Sequence, residues 1–204
     1  MSLTGSKQIV IDGKNHIYGR LAAIVAKKAL EGNNVVVVRA EEIIISRSQF
    51  RNRLKFMEFL RKHSNSNPTK HSHIHYREPS KMFKRAIRGM LPHKTRRGAD
   101  ALNRISVFEG IPGKFDMKKR VCAPDALKHL VLKNVTPTTR LGDLSSSVGW
   151  KGDAVVKKLE TKRKEKSFAR FEKRKNQLAE FKAKRQNAIA SAAKEVLETL
   201  AMVQ

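Results

Sequence analysis

Val35-Val36-Val37-Val38 is the feature that most restricts what this chain can fold into. Consecutive β-branched residues favour an extended strand. Successive strand side chains point to opposite faces, so an unbroken apolar run leaves no face for water. Such a strand is buried on both sides, as in a parallel sheet covered by helices. The preceding residues agree. Gln8-Ile9-Val10-Ile11 reads as a first strand and Asp12-Gly13-Lys14-Asn15 as a turn. From about Tyr18, Leu21, Ile24, Val25 and Leu30 recur at helical spacing, and Gly32 is a stop. Strand, helix and strand of this length make a βαβ unit.

The alternation continues. Ile43-Ile44-Ile45 extends the apolar region. Ser46 or Ser48 caps a helix running to about Lys62, with Phe50, Leu54, Met57 and Leu60 on one side, as in an amphipathic helix. Ser64 to Pro68 is a loop. A basic helix follows over about residues 80–89, and a second short helix begins near Gly98 or Ala99. Ile105 to Glu109 alternates like a strand that Gly110-Ile111-Pro112-Gly113 ends, and Val131 to Val135 reads as another strand. The expected fold of residues 1–150 is an α/β sandwich around a small parallel sheet.

Residues 151–204 differ in kind. From Asp153 to Gln204 there is neither Gly nor Pro, and good helix formers dominate. Residues 151–186 hold 14 Lys or Arg against 5 Asp or Glu. Phe168, Phe171, Leu178, Phe181 and Ile189 form a thin stripe at helical spacing, too irregular for a coiled-coil heptad. The expectation is a basic helical extension that lies on a polyanion and packs its stripe on a neighbour. Its end, Ala188 to Val203, carries few charges and can dock on another protein.

Charge limits the partners. The formal net charge is +26 over 204 residues. The densest segment runs from Lys84 to Gly98: Lys84, Arg85, Arg88, Lys94, Arg96 and Arg97, with no acid. Ala86, Ile87, Met90 and Leu91 lie between them as an apolar anchor. A fold that gathers this much positive charge calls for a polyanion, and nucleic acid fits better than an anionic membrane. No apolar run approaches the roughly twenty residues that span a bilayer, and the N-terminal residues, Met1 to Ser6, lack a signal-peptide pattern. The single Cys122 points to a reducing compartment. With two Tyr and one Trp, an aromatic stacking platform is not expected.

Chemistry finds little support. The turn from Gly13 to Arg20 follows a strand and opens a helix, but it matches neither phosphate-loop spacing. A weaker reading keeps Lys14, Asn15, His16 and Arg20 as a grip on one RNA phosphate. His71, His73 and His75 would project from one face of a strand and do not surround a metal ion, so no metal site is expected. Cys122 has no base partner. Glu41-Glu42 is an adjacent acid pair that more simply ends one element and starts the next. No reaction class follows from these residues.

Several stretches carry a resemblance. Arg85-Ala86-Ile87-Arg88-Gly89-Met90-Leu91-Pro92, then Gly98, then Ile105 to Gly110, is similar to the pattern of the universal large-subunit ribosomal protein family thirteen. Ile11-Asp12-Gly13 with Gly19-Arg20-Leu21-Ala22, the run from Gly32 to Glu42, and Arg77-Glu78-Pro79-Ser80-Lys81 also resemble it. The loop from Pro92 to Gly98 and the long extension resemble its eukaryotic branch. The resemblance covers about residues 8–150. It implies a three-layer α/β/α fold with a four-stranded parallel sheet, binding to large-subunit rRNA and no catalysis.

The expected RNA-binding residues are Lys14, Arg20, Arg47, Lys81, Lys84, Arg85, Arg88, Lys94, Arg96, Arg97, Arg104, Lys118, Lys119 and Arg120. The expected partners are large-subunit rRNA and neighbouring ribosomal proteins, the latter through the C-terminal extension, with no membrane, small-molecule substrate or cofactor. The expected place is the cytosolic ribosome, with nucleolar passage during assembly. The rival expectation is an enzyme on an α/β scaffold acting on nucleotides or RNA.

Overall fold

The computed structural model describes residues 7–202, with side chains described for 7–70 and 72–190. The readings of Met1 to Ser6, of the His71 side chain and of the side chains beyond residue 190 lie outside what is described. The chain divides into two units, one ending at Lys157 and the other starting at Lys158.

The first unit is built on the valine run. β1 (Gln8–Asp12) pairs in parallel with β2 (Asn34–Val38), from Gln8 opposite Asn34 to Asp12 opposite Val38. β4 (Ile105–Val107) pairs in parallel with the other edge of β2. The run is therefore the central strand, and all four valines are buried. Val35 and Val37 join one core with Leu21 and Val25 of α1 (Tyr18–Leu30) and Phe83 and Ile87 of α4 (Pro79–Met90). Val36 and Val38 join a smaller core with Val10 and with Phe115 of α6 (Gly113–Asp116).

Three strands are paired, and a single bridge stands where a fourth would lie. Val121 donates to Val10 O at 2.8 Å, and Asp12 donates to Val121 O at 3.0 Å. The chain then enters the 3₁₀ turn Pro124–Ala126, and a proline has no N–H to continue a ladder.

Two expectations are corrected. Val131 to Val135 is not a strand: Lys128–Val131 is a short helix, α7, and the chain turns through residues 133–136. Asn134 and the Pro137 that follows Thr136 favour that turn. The strand falls later, at β5 (Thr138–Arg140), antiparallel to β3 (Ile44–Ser46). The second correction concerns α2 (Gln49–Leu60). Asn52 and Phe56 are its buried residues, while Phe50, Leu54 and Met57 are exposed. Asn52 Nδ2 donates to Thr139 Oγ1 at 3.0 Å and to Arg47 O at 3.2 Å. A buried amide must be satisfied, so this bond decides which face turns inward.

The remaining helices of this unit are α3 (Pro68–His71), α5 (Arg96–Asn103) and α8 (Leu141–Ser147). The second unit is α9, a helix of Asp153–Met202 whose first turns belong to the first unit. At 1.5 Å per residue its 50 residues extend about 75 Å. Every residue from Lys164 to Ala190 is exposed. The expected helix is present, and its stripe from Phe168 to Ile189 faces solvent.

Candidate nucleic-acid interface

α4 places its charges by burying its other side. Phe83 and Ile87 are fully buried, and Leu91 just beyond the helix is 4% exposed. Lys81, Lys84, Arg85 and Arg88 sit at i, i+3, i+4 and i+7, one face of a helix, on the side away from Phe83 and Ile87. All four line a groove of about 660 Å³, which Lys70, His73 and Tyr76 complete. Of the apolar residues expected to anchor this segment, Ile87 and Leu91 are buried, whereas Met90 is exposed.

The groove is fixed in detail. Pro79 opens α4 at a position that needs no N–H, and Glu109 Oε1 accepts from the Ser80 amide at 3.0 Å. The guanidinium carbon of Arg85 sits over Phe59, 3.9 Å from the ring centre. Phe59 in turn meets His75 edge to face at 4.6 Å. A guanidinium on an aromatic face keeps its edge free for a planar anion. Lys81 bridges Glu78 at 3.0 Å, and this carboxylate raises the Lys81 pKa.

The loop after α4 is drawn tight. Thr95 donates to Pro92 O from both its amide, at 3.0 Å, and its hydroxyl, at 2.7 Å. The same hydroxyl accepts from the Gly98 amide at 3.3 Å, capping α5. A Cβ on Gly98 would stand 2.0 Å from Pro92 O, so only glycine closes this turn. Lys94, Arg96 and Arg97 are left exposed on it.

The other expected cations lie elsewhere or are engaged within the fold. Arg104 donates from Nε and Nη2 to Ala29 O, at 3.2 and 3.0 Å, satisfying a carbonyl at the end of α1. Arg120 donates to Phe115 O and Asp116 O at the end of α6, and Lys118 donates to Gln8 Oε1 at 2.6 Å. Lys119 is exposed beside them. These three follow α6, which packs on the sheet face opposite to α4. Arg47 is exposed in the turn between β3 and α2, with φ of 85°.

Lys14 and Arg20 are exposed at the start of α1, but His16 is not part of a phosphate grip. It is 1% exposed, and its Nε2 accepts from the Ala123 amide at 2.9 Å. Its Nδ1 lies 2.9 Å from Lys14 O and so carries the proton of a neutral imidazole. Burial lowers its pKa. The geometry commits His16 to joining the β1–α1 turn to the segment after Val121.

Sequence reasoning missed Phe59, Lys70 and Tyr76. They come from separate segments, and no spacing links them to α4. Among the described residues, no group of three or more His, Cys, Asp or Glu can hold a metal ion, and no helix is long and apolar enough to cross a membrane.

Comparison with known proteins adds a family. The sequence pattern of the family described as ribosomal protein L13 matches residues 6–114, which include the sheet, α4, its loop and α5. The chain is also 48% identical, over 195 residues and 96% of each chain, to the large ribosomal subunit protein uL13 of Tetrahymena thermophila. That match extends beyond the family segment into the C-terminal extension.

Proposed function

This chain belongs to the ribosomal protein L13 family, and from that premise we propose that it is a structural protein of the large ribosomal subunit that grips rRNA with α4 and the loop after it. The observation that carries the reading is the face of Lys81, Lys84, Arg85 and Arg88 set on a buried opposite face. An RNA backbone offers phosphates at regular spacing, and cations on one rigid helix face can meet several at once. Because A-form RNA hides its major groove, such a surface recognises shape more than sequence. Lys94, Arg96 and Arg97 continue the cationic surface beyond the helix. Lys14, Arg20, Arg47 and Lys119 are free to touch further RNA. Arg104, Lys118 and Arg120 contribute mainly through the bonds they make within the fold. The α9 extension contacts RNA and neighbouring ribosomal proteins. The protein works in the cytosolic ribosome after nucleolar assembly. The family sets the enzyme alternative aside.

The test is a sucrose gradient of lysate at rising salt, with the native chain and with Arg88→Glu, Arg96→Glu and Arg97→Glu combined. The native chain should sediment with the large subunit and resist salt that strips loosely held basic proteins. The triple variant should stay folded and remain near the top. Its salt dependence of RNA binding should fall by about two to three phosphate contacts. Normal incorporation of the folded variant would refute the assignment.

A further inference from the structure

Beside the α4 groove, and sharing Lys81 with it, lies a second hollow of about 260 Å³. Tyr76, Trp150, Arg77, Lys151 and Glu78 line it. It thus holds the chain's only Trp and one of its two Tyr, 74 positions apart in sequence. The volume suits one nucleobase and is too small for a base pair. Tyr76 and Lys81 line both the hollow and the groove, so the two are contiguous.

The hollow is built rather than incidental. Arg77 Nε donates to Val148 O at 2.9 Å, tying the segment before α4 to the turn after α8. Gly149 makes that turn at φ of 105°, and the Trp150 amide donates to Ser145 O at 2.9 Å. Gly152 lets the indole fold back on the backbone: a Cβ there would stand 2.8 Å from Trp150 Nε1. His75 also lines the hollow, and its Nε2 is buried with no hydrogen-bond partner.

We propose that this hollow takes a single unpaired RNA base, stacked against Trp150 and Tyr76, with its phosphate reaching Lys81 or Lys151. Every base has a π-face, so stacking on aromatic walls tolerates sequence. Glu78 is an acceptor at the wall and favours bases that present an exocyclic amine. A duplex keeps its bases stacked inside and cannot enter. The site would therefore give a shape-reading protein one contact specific for a bulged or looped nucleotide. The proposal rests on the RNA-binding reading above.

Trp150 is its own reporter, because no other tryptophan contributes emission. The full-length chain is titrated with a fluorescein-labelled single-stranded RNA of about ten nucleotides. It is titrated separately with the same strand annealed to its complement. Anisotropy reports binding, and tryptophan emission reports the hollow. The expected result is binding of both RNAs with quenching of Trp150 by the single strand alone. Trp150→Leu should weaken the single strand about tenfold and leave the duplex unchanged. Binding of the single strand with unchanged Trp150 emission, or equal quenching by the duplex, overturns the base site and leaves the RNA reading standing. No anisotropy change with either RNA overturns both. The emission test uses the native sequence, so it does not depend on a variant folding.

Discussion

α4 and α9 are both helices rich in Lys and Arg, yet only one of them holds its charges in fixed directions. α4 buries Phe83 and Ile87 and presents Lys81, Lys84, Arg85 and Arg88 together over one groove. α9 buries nothing from Lys164 to Ala190. Over that stretch its cations occur in runs such as Lys173-Arg174-Lys175. A helix turns about 100° per residue, so each run points in three directions. Its aromatic residues, Phe168, Phe171 and Phe181, are exposed, and so are the lysines of the same stretch. Charge supplies attraction in both helices. Packing supplies position only in α4, and position is what separates a site from a sticky surface.

That contrast breaks most readily in the core. Phe83→Ala should cost about 3–5 kcal/mol and shift the urea midpoint of the first unit sharply, or unfold it. Phe171→Ala in α9 should stay within about 0.5 kcal/mol. Similar costs at the two positions would erase the distinction between them.

Gly98→Ala comes next. The added Cβ meets Pro92 O, which cannot move without opening the Thr95 turn. A loss of about 1–3 kcal/mol is expected, with weaker RNA binding than that stability loss alone explains. Full RNA affinity in this variant would show that the loop's shape is immaterial.

Acid should act on the first unit only. The His16 pKa is lowered in the folded state by burial, so the unfolded chain binds the proton more readily. Stability is then complete above the usual value near 6.5 and declines as the pH falls below it. Urea unfolding at about pH 7.5 and about pH 5.5 should show that loss. His16→Gln should flatten it. The second unit contains no histidine, so a chain ending at Lys166 should show the same slope. A slope that disappears with the extension would place the titrating group elsewhere.

The smallest effect on stability is expected from that truncation itself. It should leave the thermal midpoint of the first unit nearly unchanged. It should lower RNA affinity uniformly across sequences, with a reduced salt slope. Cooperative loss of the whole fold would refute the division into two units.

How much of this was legible in the residues depends on the range of the interaction concerned. The valine run, the first βαβ unit, α4 and the uninterrupted α9 follow from local periodicity and from where Gly and Pro occur. The failures share one cause. The apolar side of α2 was visible, but the Asn52 bond to Thr139 turned another side inward. A second strand near Val131 was plausible locally, but the turn before Pro137 moved it to Thr138–Arg140. The Arg104 bond to Ala29 O joins residues 75 positions apart, so local sequence gives no sign of it.

By itself the sequence determined the strong positive charge, the α/β class, the helical extension and the existence of the basic helix α4. Helix period and composition are enough for those. Tertiary structure decided which cations face outward, that His16 is a buried neutral strut, and that Tyr76 and Trp150 share a hollow. Those outcomes depend on which distant segments meet, and on the rule that a buried polar group must find a partner wherever the fold supplies one.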